Sequence, residues 1–241
     1  MALPKDQKSS NDLIRVHQVR KRFYLSLSRT FVREVDKDFL QDLLEILRSL
    51  EDLLDLMHIS QDNDIQKGRY LITYFIQEIR QTKEDMILRD LARDYAALFL
   101  GVGPATVALC ESVYQSYSGL LFQDSYFQVK ERYQDIRLAK NGDYPEPDDH
   151  LSVELAYMAN LCHLSIDSIE RKTGEHTYYH RLQKDFLEKH LMRWVPEFSK
   201  TLIETSNSTF YSAMTYLLRG YIKADWNFIN RRYDYWFNSE I

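Results

Sequence analysis

At 241 residues, the chain is long enough for one large or two small domains and for a substantial buried core. Its formal net charge of −5 argues against a nucleic-acid-binding protein, because neutralising phosphates needs a basic face. Only 7 glycines and 5 prolines are present, which is too few turn residues for an all-β fold and favours long helices.

The two cysteines, Cys110 and Cys162, form no CxxC pair. This spacing predicts a reducing compartment, without a disulfide framework or a cysteine-based zinc site. The amino-terminal residues lack the apolar stretch of a signal peptide, and no segment approaches the roughly 18 consecutive apolar residues of a membrane span. We therefore expect a cytoplasmic protein that does not insert into a membrane.

Apolar residues recur at helical spacing along most of the chain. The first predicted helices cover residues 12–31, 37–57, 70–79 and 86–99. Gly101, Gly103 and Pro104 can end the fourth helix and open the next. Further helices are predicted at about 105–117 and 124–140.

The clearest break is the segment 141–149, whose two prolines cannot continue a helix. Asp148 or Asp149 is well suited to cap the helix that follows. A later helix is predicted from about 176 to 194, interrupted before Pro196, and the last one ends near Trp236.

No repeat and no strand is predicted. The chain is therefore predicted to be an all-α protein, a single globular bundle of roughly nine to twelve helices. Within it, residues 1–140 form an amino-terminal helical part, 141–149 a hinge and ligand loop, and 150–241 a carboxyl-terminal helical part.

Four sequence blocks occur in the order expected for a known family. They are Arg93–Gly101, then Ser112–Tyr114 with Gly119–Phe122, then Glu146–Met158 with its Pro-x-Asp-His loop, and finally Phe186–Phe198. Together they resemble the TorD/DmsD family of redox-enzyme maturation chaperones. One departure is Ser118, which stands where family members often carry a glutamate before Leu-Phe.

The resemblance implies an all-helical chaperone without catalysis. Such a protein binds the twin-arginine leader, and in some cases the body, of a reductase of the dimethyl-sulfoxide or trimethylamine-oxide class. Export is delayed until the molybdopterin cofactor is in place. The resemblance implies no cofactor for the chaperone itself, since the client enzyme holds the molybdopterin, and leaves weak binding of a guanine nucleotide open.

A twin-arginine leader presents two guanidinium groups followed by an apolar stretch, so a receptor needs carboxylates beside an apolar groove. The loop supplies acids at Asp143, Glu146, Asp148 and Asp149. The predicted leader-binding residues are Tyr95, Leu98, Phe99, Tyr114, Tyr117, Glu146, Pro147, Asp148, Asp149 and His150.

Other interpretations remain open at this stage. Tyr95, Leu98 and Phe99 lie at core spacing, Asp149 can be a helix cap, and His150 can be structural. The chain can instead be an adaptor for another amphipathic segment, or a metal-dependent hydrolase that uses Asp149 and His150. The chain is a monomer or a domain-swapped dimer, because the hinge divides the helices into two groups.

Overall fold

A computed structural model describes residues 5–57, 62–103, 105–139 and 144–231. These residues form ten α-helices and one π-helical turn. The helices are α1 (Lys5–Val32), α2 (Lys37–Met57), α3 (Asn63–Gln81), α4 (Glu84–Phe99), α5 (Glu111–Gln115), α6 (Asp124–Asp135), α7 (Leu151–Arg171), α8 (His176–Phe186), α9 (Met192–Thr205) and α10 (Thr209–Arg231), with the π-helical turn at Leu187–Leu191. The predicted all-α bundle is confirmed.

Each long helix buries one face because its apolar residues recur every three or four positions. Helix α3 is an example, since its buried residues are Ile65, Gly68, Ile72 and Phe75. It begins after Asp62, whose side chain accepts hydrogen bonds from the backbone N–H groups of the first turn at 2.9 and 3.3 Å. A cap of this kind satisfies amides that have no partner within the helix.

Two long helix pairs build the core. Helix α1 packs along α7, and α3 packs along α10. The second pair approaches closely at two glycines, because a Cβ atom at Gly220 would lie 2.7 Å from Cγ1 of Ile65, and one at Gly68 would lie 2.7 Å from Leu217. Helices from both sides of the predicted hinge thus share one core.

A buried ion pair joins the first helix to the last. Arg20 donates to both carboxylate oxygens of Asp225, at 2.7 and 2.8 Å, and neither side chain is exposed to solvent. The Tyr24 hydroxyl donates to the same carboxylate at 2.6 Å. Charge-assisted, two-pronged bonds of this type fix the relative position of the helices they connect.

Several boundaries differ from prediction. Helix α3 begins at Asn63 rather than near Tyr70, and α6 ends at Asp135 rather than near residue 140. Residues 105–110 are not helical, because Gly103 and the β-branched Thr106 and Val107 favour extended chain, and α5 spans only five residues. Helix α9 continues through Pro196. The π-helical turn Leu187–Leu191 lies just before α9, in place of the interruption predicted before Pro196. The predicted end near Trp236 lies outside the described residues.

Candidate functional site

The loop before α7 is fixed to α5 and α6 by its own backbone and side chains. The Tyr133 hydroxyl donates to the carbonyl of Asp148 at 2.8 Å. Asp149 is fully buried, and its carboxylate accepts a hydrogen bond from the N–H of Ser112 at 2.8 Å. Its carbonyl accepts one from the N–H of Glu111 at 3.0 Å. Asp149 therefore holds the beginning of α5, although the sequence predicted that it or Asp148 would cap α7.

The cap of α7 is His150 instead. Its Nδ1 accepts the N–H of Ser152 at 3.2 Å and lies 2.7 Å from the hydroxyl of that serine. Tyr144 completes the group, since its hydroxyl lies 2.9 Å from the same Ser152 oxygen. The backbone around His150 also forms an isolated antiparallel bridge with Cys110. The histidine was a predicted ligand-binding residue, and the structure gives it a clear structural role.

The charged part of the loop remains closer to solvent. Glu146, Pro147 and Asp148 are partly buried, in contrast to Asp149 and His150. Of the predicted acids, Asp143 lies outside the described residues. Burial, and to a lesser degree the neighbouring Glu111, raises the pKa of Asp149 above its usual value. Of the predicted acids that the structure describes, Glu146 and Asp148 are therefore closer to solvent than Asp149.

Three of the predicted wall residues point into the protein. Tyr95 and Leu98 are buried in the core, and Phe99 packs edge-on against Phe31 and Tyr211 at 6.2 and 5.7 Å. The Tyr95 hydroxyl lies 3.4 Å from the carbonyl of Phe31, and burial raises its pKa to about 12. Their contact with a ligand stays a prediction, because in this structure they contact other core side chains.

The two tyrosines of the α5 region differ in their surroundings. Tyr114 stacks on Trp194 with ring centroids 5.4 Å apart, and its hydroxyl donates to the carbonyl of Ala108 at 2.8 Å. Burial raises the pKa of Tyr114. Tyr117, by contrast, is fully exposed just beyond the end of α5. Only Tyr117 is placed to meet a ligand on the surface.

Tyr117 belongs to a group of exposed apolar side chains between α5 and the first turn of α6, which we call the apolar patch. Its other members are Leu120, Leu121, Phe122 and Phe127. Large exposed apolar clusters on a soluble domain usually mark an interaction site. Sequence reasoning did not assign these four residues to the site, although Gly119–Phe122 was one of the family-like blocks.

The apolar patch lies beside the acidic loop. Phe122 packs edge-on against Tyr126 at 5.0 Å, and Tyr126 neighbours Asp148. Burial, followed by the charge of Asp148, raises the pKa of Tyr126. Phe122 also has a φ of 60°, a left-handed conformation that costs a bulky residue free energy and is often found at functional sites.

A cavity of about 320 Å³ lies on the other side of the loop, between α1, α6 and α7. Its lining is mostly apolar and includes the Tyr144 that contacts the cap of α7. Lining residues are Ser28, Val32, Tyr133, Leu138, Ala139, Tyr144, Ser152, Val153, Ala156, Tyr157 and Asn160.

A second feature of the region is a pair of buried glutamates behind the loop. Glu111 begins α5, and its carboxylate lies 2.9 Å from Nδ1 of His190. Glu154, in the first turn of α7, accepts a hydrogen bond from the indole N–H of Trp194 at 3.0 Å. Both glutamates are essentially inaccessible to solvent.

A metal centre finds no support in this arrangement. Within the ranges that the structure describes, no group of three or more histidine, cysteine, aspartate or glutamate side chains is arranged to hold a metal ion. The Asp149 carboxylate accepts from Ser112, and Nδ1 of His150 accepts from Ser152. Both side chains named in the hydrolase alternative therefore make structural bonds in this fold.

Residues 37–200 match the sequence model of the family described as nitrate reductase delta subunit. The chain belongs to this family. A relative named chaperone protein TorD, from Shewanella pealeana, is 28% identical over 219 residues, covering 87% of this chain and 89% of that protein. Another chaperone protein TorD, from Aliivibrio salmonicida, is 25% identical and covers 91% of this chain and 98% of its own length.

The resemblance of the four sequence blocks to the TorD/DmsD family is confirmed by these relatives, which span most of the chain. Relatives of this kind are named as chaperones, so the chain is a member of a chaperone family and not of an enzyme family, as predicted.

A solved structure titled a putative redox enzyme maturation protein, from Archaeoglobus fulgidus, aligns with a TM-score of 0.47 and 19% identity over 85% of this chain and 93% of that one. None of the helices described is both long and apolar enough to cross a membrane.

Proposed function

We propose that this maturation chaperone binds the twin-arginine leader of a molybdopterin-dependent reductase in the cytoplasm and delays export until the cofactor is inserted. The observation that carries the proposal is the contact between the apolar patch and the acidic loop, made through Phe122, Tyr126 and Asp148. A leader has the complementary chemistry, with two arginines directly before an apolar stretch. No cofactor of the chaperone's own is part of the proposal.

The apolar stretch supplies most of the affinity in this proposal. Complete burial of a leucine or phenylalanine stabilises a complex by about 1.5–3 kcal/mol, whereas an exposed ion pair contributes roughly 0–1 kcal/mol. Side chains of the patch range from about half exposed, with Leu121 at 43% and Phe122 at 53%, to fully exposed at Tyr117, and they gain much of that burial on binding. Glu146 and Asp148 then set the register of the arginines and the rate of association.

Titration calorimetry with leader peptides encoded by the same genome tests the proposal. We expect Phe122→Asp to weaken leader binding at least tenfold, because it places a charge in the apolar contact. The matched control is Tyr70→Asp on α3, where an aromatic side chain of similar exposure lies outside the patch. That variant should bind the leader as the unaltered protein does.

The peptide itself supplies the second half of the test. Replacing both arginines should slow association and reduce its dependence on salt, and replacing the apolar stretch should abolish binding. A chain that binds all these peptides equally well is not a leader receptor. If only the arginines prove dispensable, the apolar patch binds amphipathic segments in general, and the adaptor function is favoured.

A further inference from the structure

We propose that Glu111 and Glu154 share one proton, and that this carboxyl pair is a positioning device that holds the 144–150 loop against α5. The consequence for leader binding rests on the proposed function, whereas the shared proton itself does not. Neither glutamate is exposed, and neither is needed to contact a ligand.

Four elements meet at the pair. Glu111 comes from α5 and Glu154 from α7, while His190 lies in the π-helical turn and Trp194 in α9. The Nδ1 of His190 lies 3.2 and 2.9 Å from the two oxygens of Glu111. A carboxylate has no proton to give, so His190 is the donor in this contact.

Glu154 has fewer donors than an ionised carboxylate needs. Its Oε2 accepts the indole N–H of Trp194 at 3.0 Å, and its Oε1 has no hydrogen-bond donor among the described residues. A buried carboxylate in this position is costly unless it is protonated or further paired. The carboxyl groups of Glu154 and Glu111 lie within hydrogen-bonding reach of each other. A proton on Glu154 that is donated to Glu111 therefore satisfies both side chains at once.

The charges around the pair also favour the protonated form of Glu154. Burial, followed by the charge of Glu111, raises the pKa of Glu154 well above its usual value, and Asp149 adds to this effect. The neutral Cys110 and Tyr133 also lie near the pair, and their own pKa values are raised mainly by burial. Among the residues that the structure describes, the titratable groups named as acting on Glu154, Cys110 and Tyr133 are acids or neutral groups, and none of them supplies a full positive charge to replace the proton.

The pair is connected directly to the ligand loop. The N–H of Glu111 donates to the carbonyl of Asp149 at 3.0 Å, and the N–H of Ser112 donates to the Asp149 carboxylate at 2.8 Å. On the other side of the loop, the N–H of Leu151 donates to the carbonyl of Leu109 at 2.7 Å. Ionisation of both glutamates places two like charges between α5 and α7, which weakens the hydrogen bonds that position the loop.

The sign of the pH dependence follows from the raised pKa of Glu154. The folded chain binds this proton more tightly than the unfolded chain, in which a glutamate titrates near 4.3. The stabilisation is complete below that pH and is lost as the pH rises through the folded pKa. Between the two values, one extra proton changes the folding equilibrium constant by about tenfold per pH unit.

Nuclear magnetic resonance of the Trp194 indole N–H tests the shared proton in the unaltered protein. The signal is assigned by its loss in Trp194→Phe, and it should titrate with a midpoint well above 4.3 because its acceptor is Glu154. In Glu154→Gln the indole keeps an oxygen acceptor and Glu111 keeps a donor, so this titration should disappear. The matched control is Glu170→Gln, an exposed site on the same helix, which should leave it unchanged.

Denaturation and peptide binding complete the test. Glu154→Gln should remove the tenfold change per pH unit from the folding equilibrium while remaining folded. Glu154→Ala should remove it as well, but it should be less stable than Glu154→Gln because Trp194 loses its hydrogen-bond acceptor. With rising pH, leader affinity should fall more steeply in the unaltered protein than in Glu154→Gln. An indole signal that titrates equally in the unaltered protein and in Glu154→Gln overturns the proposal.

The two proposals fail separately. Absence of leader binding together with the expected indole titration contradicts the proposed function and supports the shared proton. Leader binding that responds to pH identically in Glu154→Gln and in the unaltered protein contradicts the positioning role and leaves the proposed function intact.

Discussion

Asp149 and His150 each have two interpretations, a structural one and a ligand-binding one. Both side chains are buried and bonded within the chain, Asp149 to Ser112 and His150 to Ser152. They shape the surface that a ligand meets by holding α5 and α7 at fixed positions. A ligand contact with either side chain would first have to break one of these bonds.

We predict that Asp149→Ala destabilises the protein by about 1–2 kcal/mol, because the buried N–H of Ser112 loses its acceptor. Asp149→Asn should cost less, since the amide oxygen can accept the same hydrogen bond. It also removes a carboxyl whose pKa is raised by burial, so the charged form no longer opposes folding at neutral pH. Urea denaturation measures both changes.

The exposed Asp42→Ala on α2 is the control and should stay within about 0.5 kcal/mol of the unaltered protein. If Asp149→Ala keeps its denaturation midpoint but loses leader binding, the direct ligand contact predicted from the sequence is correct and the structural role assigned above is minor.

Individual site residues were predictable only in part. Helical spacing identifies an apolar face, but it does not say whether another helix covers that face, and so the sequence leaves both core packing and ligand contact open for Tyr95, Leu98 and Phe99. The residues of the apolar patch have no periodicity because they lie mostly in a turn. Their one sequence signal is four apolar or aromatic residues, Leu120–Phe122 and Phe127, around a connection that would normally be polar.

Among the secondary-structure elements, helices were predicted correctly where apolar residues recur at a regular helical spacing. The predicted helix 86–99 corresponds to α4, which begins two residues earlier and ends at the same position. In the predicted helix 105–117, the prediction failed for residues 105–110, where pairing with the chain before α7 favours an extended conformation, whereas α5 covers Glu111–Gln115. Such pairing depends on residues about 40 positions away and leaves no local pattern.

The crossing of α3 and α10 gives a prediction at this scale. Gly220→Ala should destabilise the protein by about 1–2 kcal/mol, although alanine is the better helix former. The added Cβ would lie 2.7 Å from Ile65 Cγ1 and 3.0 Å from the backbone nitrogen of the same residue, and that backbone cannot move without shifting α3. The midpoint of urea denaturation is the measurement. A midpoint equal to or higher than that of the unaltered protein would show that the helices are farther apart.

A buried ion pair joins the first helix of the molecule to the last. Composition and period were sufficient to predict an all-α bundle, but not which helices are neighbours. Arg20 and Asp225 are 205 positions apart, and nothing in the spacing of charges along the chain connects them. From its sequence, α1 is predicted to be an ordinary amphipathic helix. In the structure, its Arg20 is a fully buried cation.

We predict that Asp225→Ala costs roughly 3–5 kcal/mol, because it leaves Arg20 buried without its counter-charge. The matched control is Glu45→Ala, which breaks an exposed ion pair with Arg48 and should cost less than about 1 kcal/mol. Replacing both partners, as Arg20→Met with Asp225→Leu, should recover most of the loss. Equal costs for Asp225→Ala and Glu45→Ala would contradict the burial of the pair.

The same ion pair sets an order of events during synthesis. Arg20 is synthesised 205 residues before its partner, and making that stretch takes roughly 10–40 s at ordinary elongation rates. Until then the nascent amino-terminal helix has a cation that it cannot bury, so it stays hydrated and undocked. The bundle therefore closes only after α10 has been made, and a truncated chain that lacks α10 has no counter-charge for the Arg20 of its first helix.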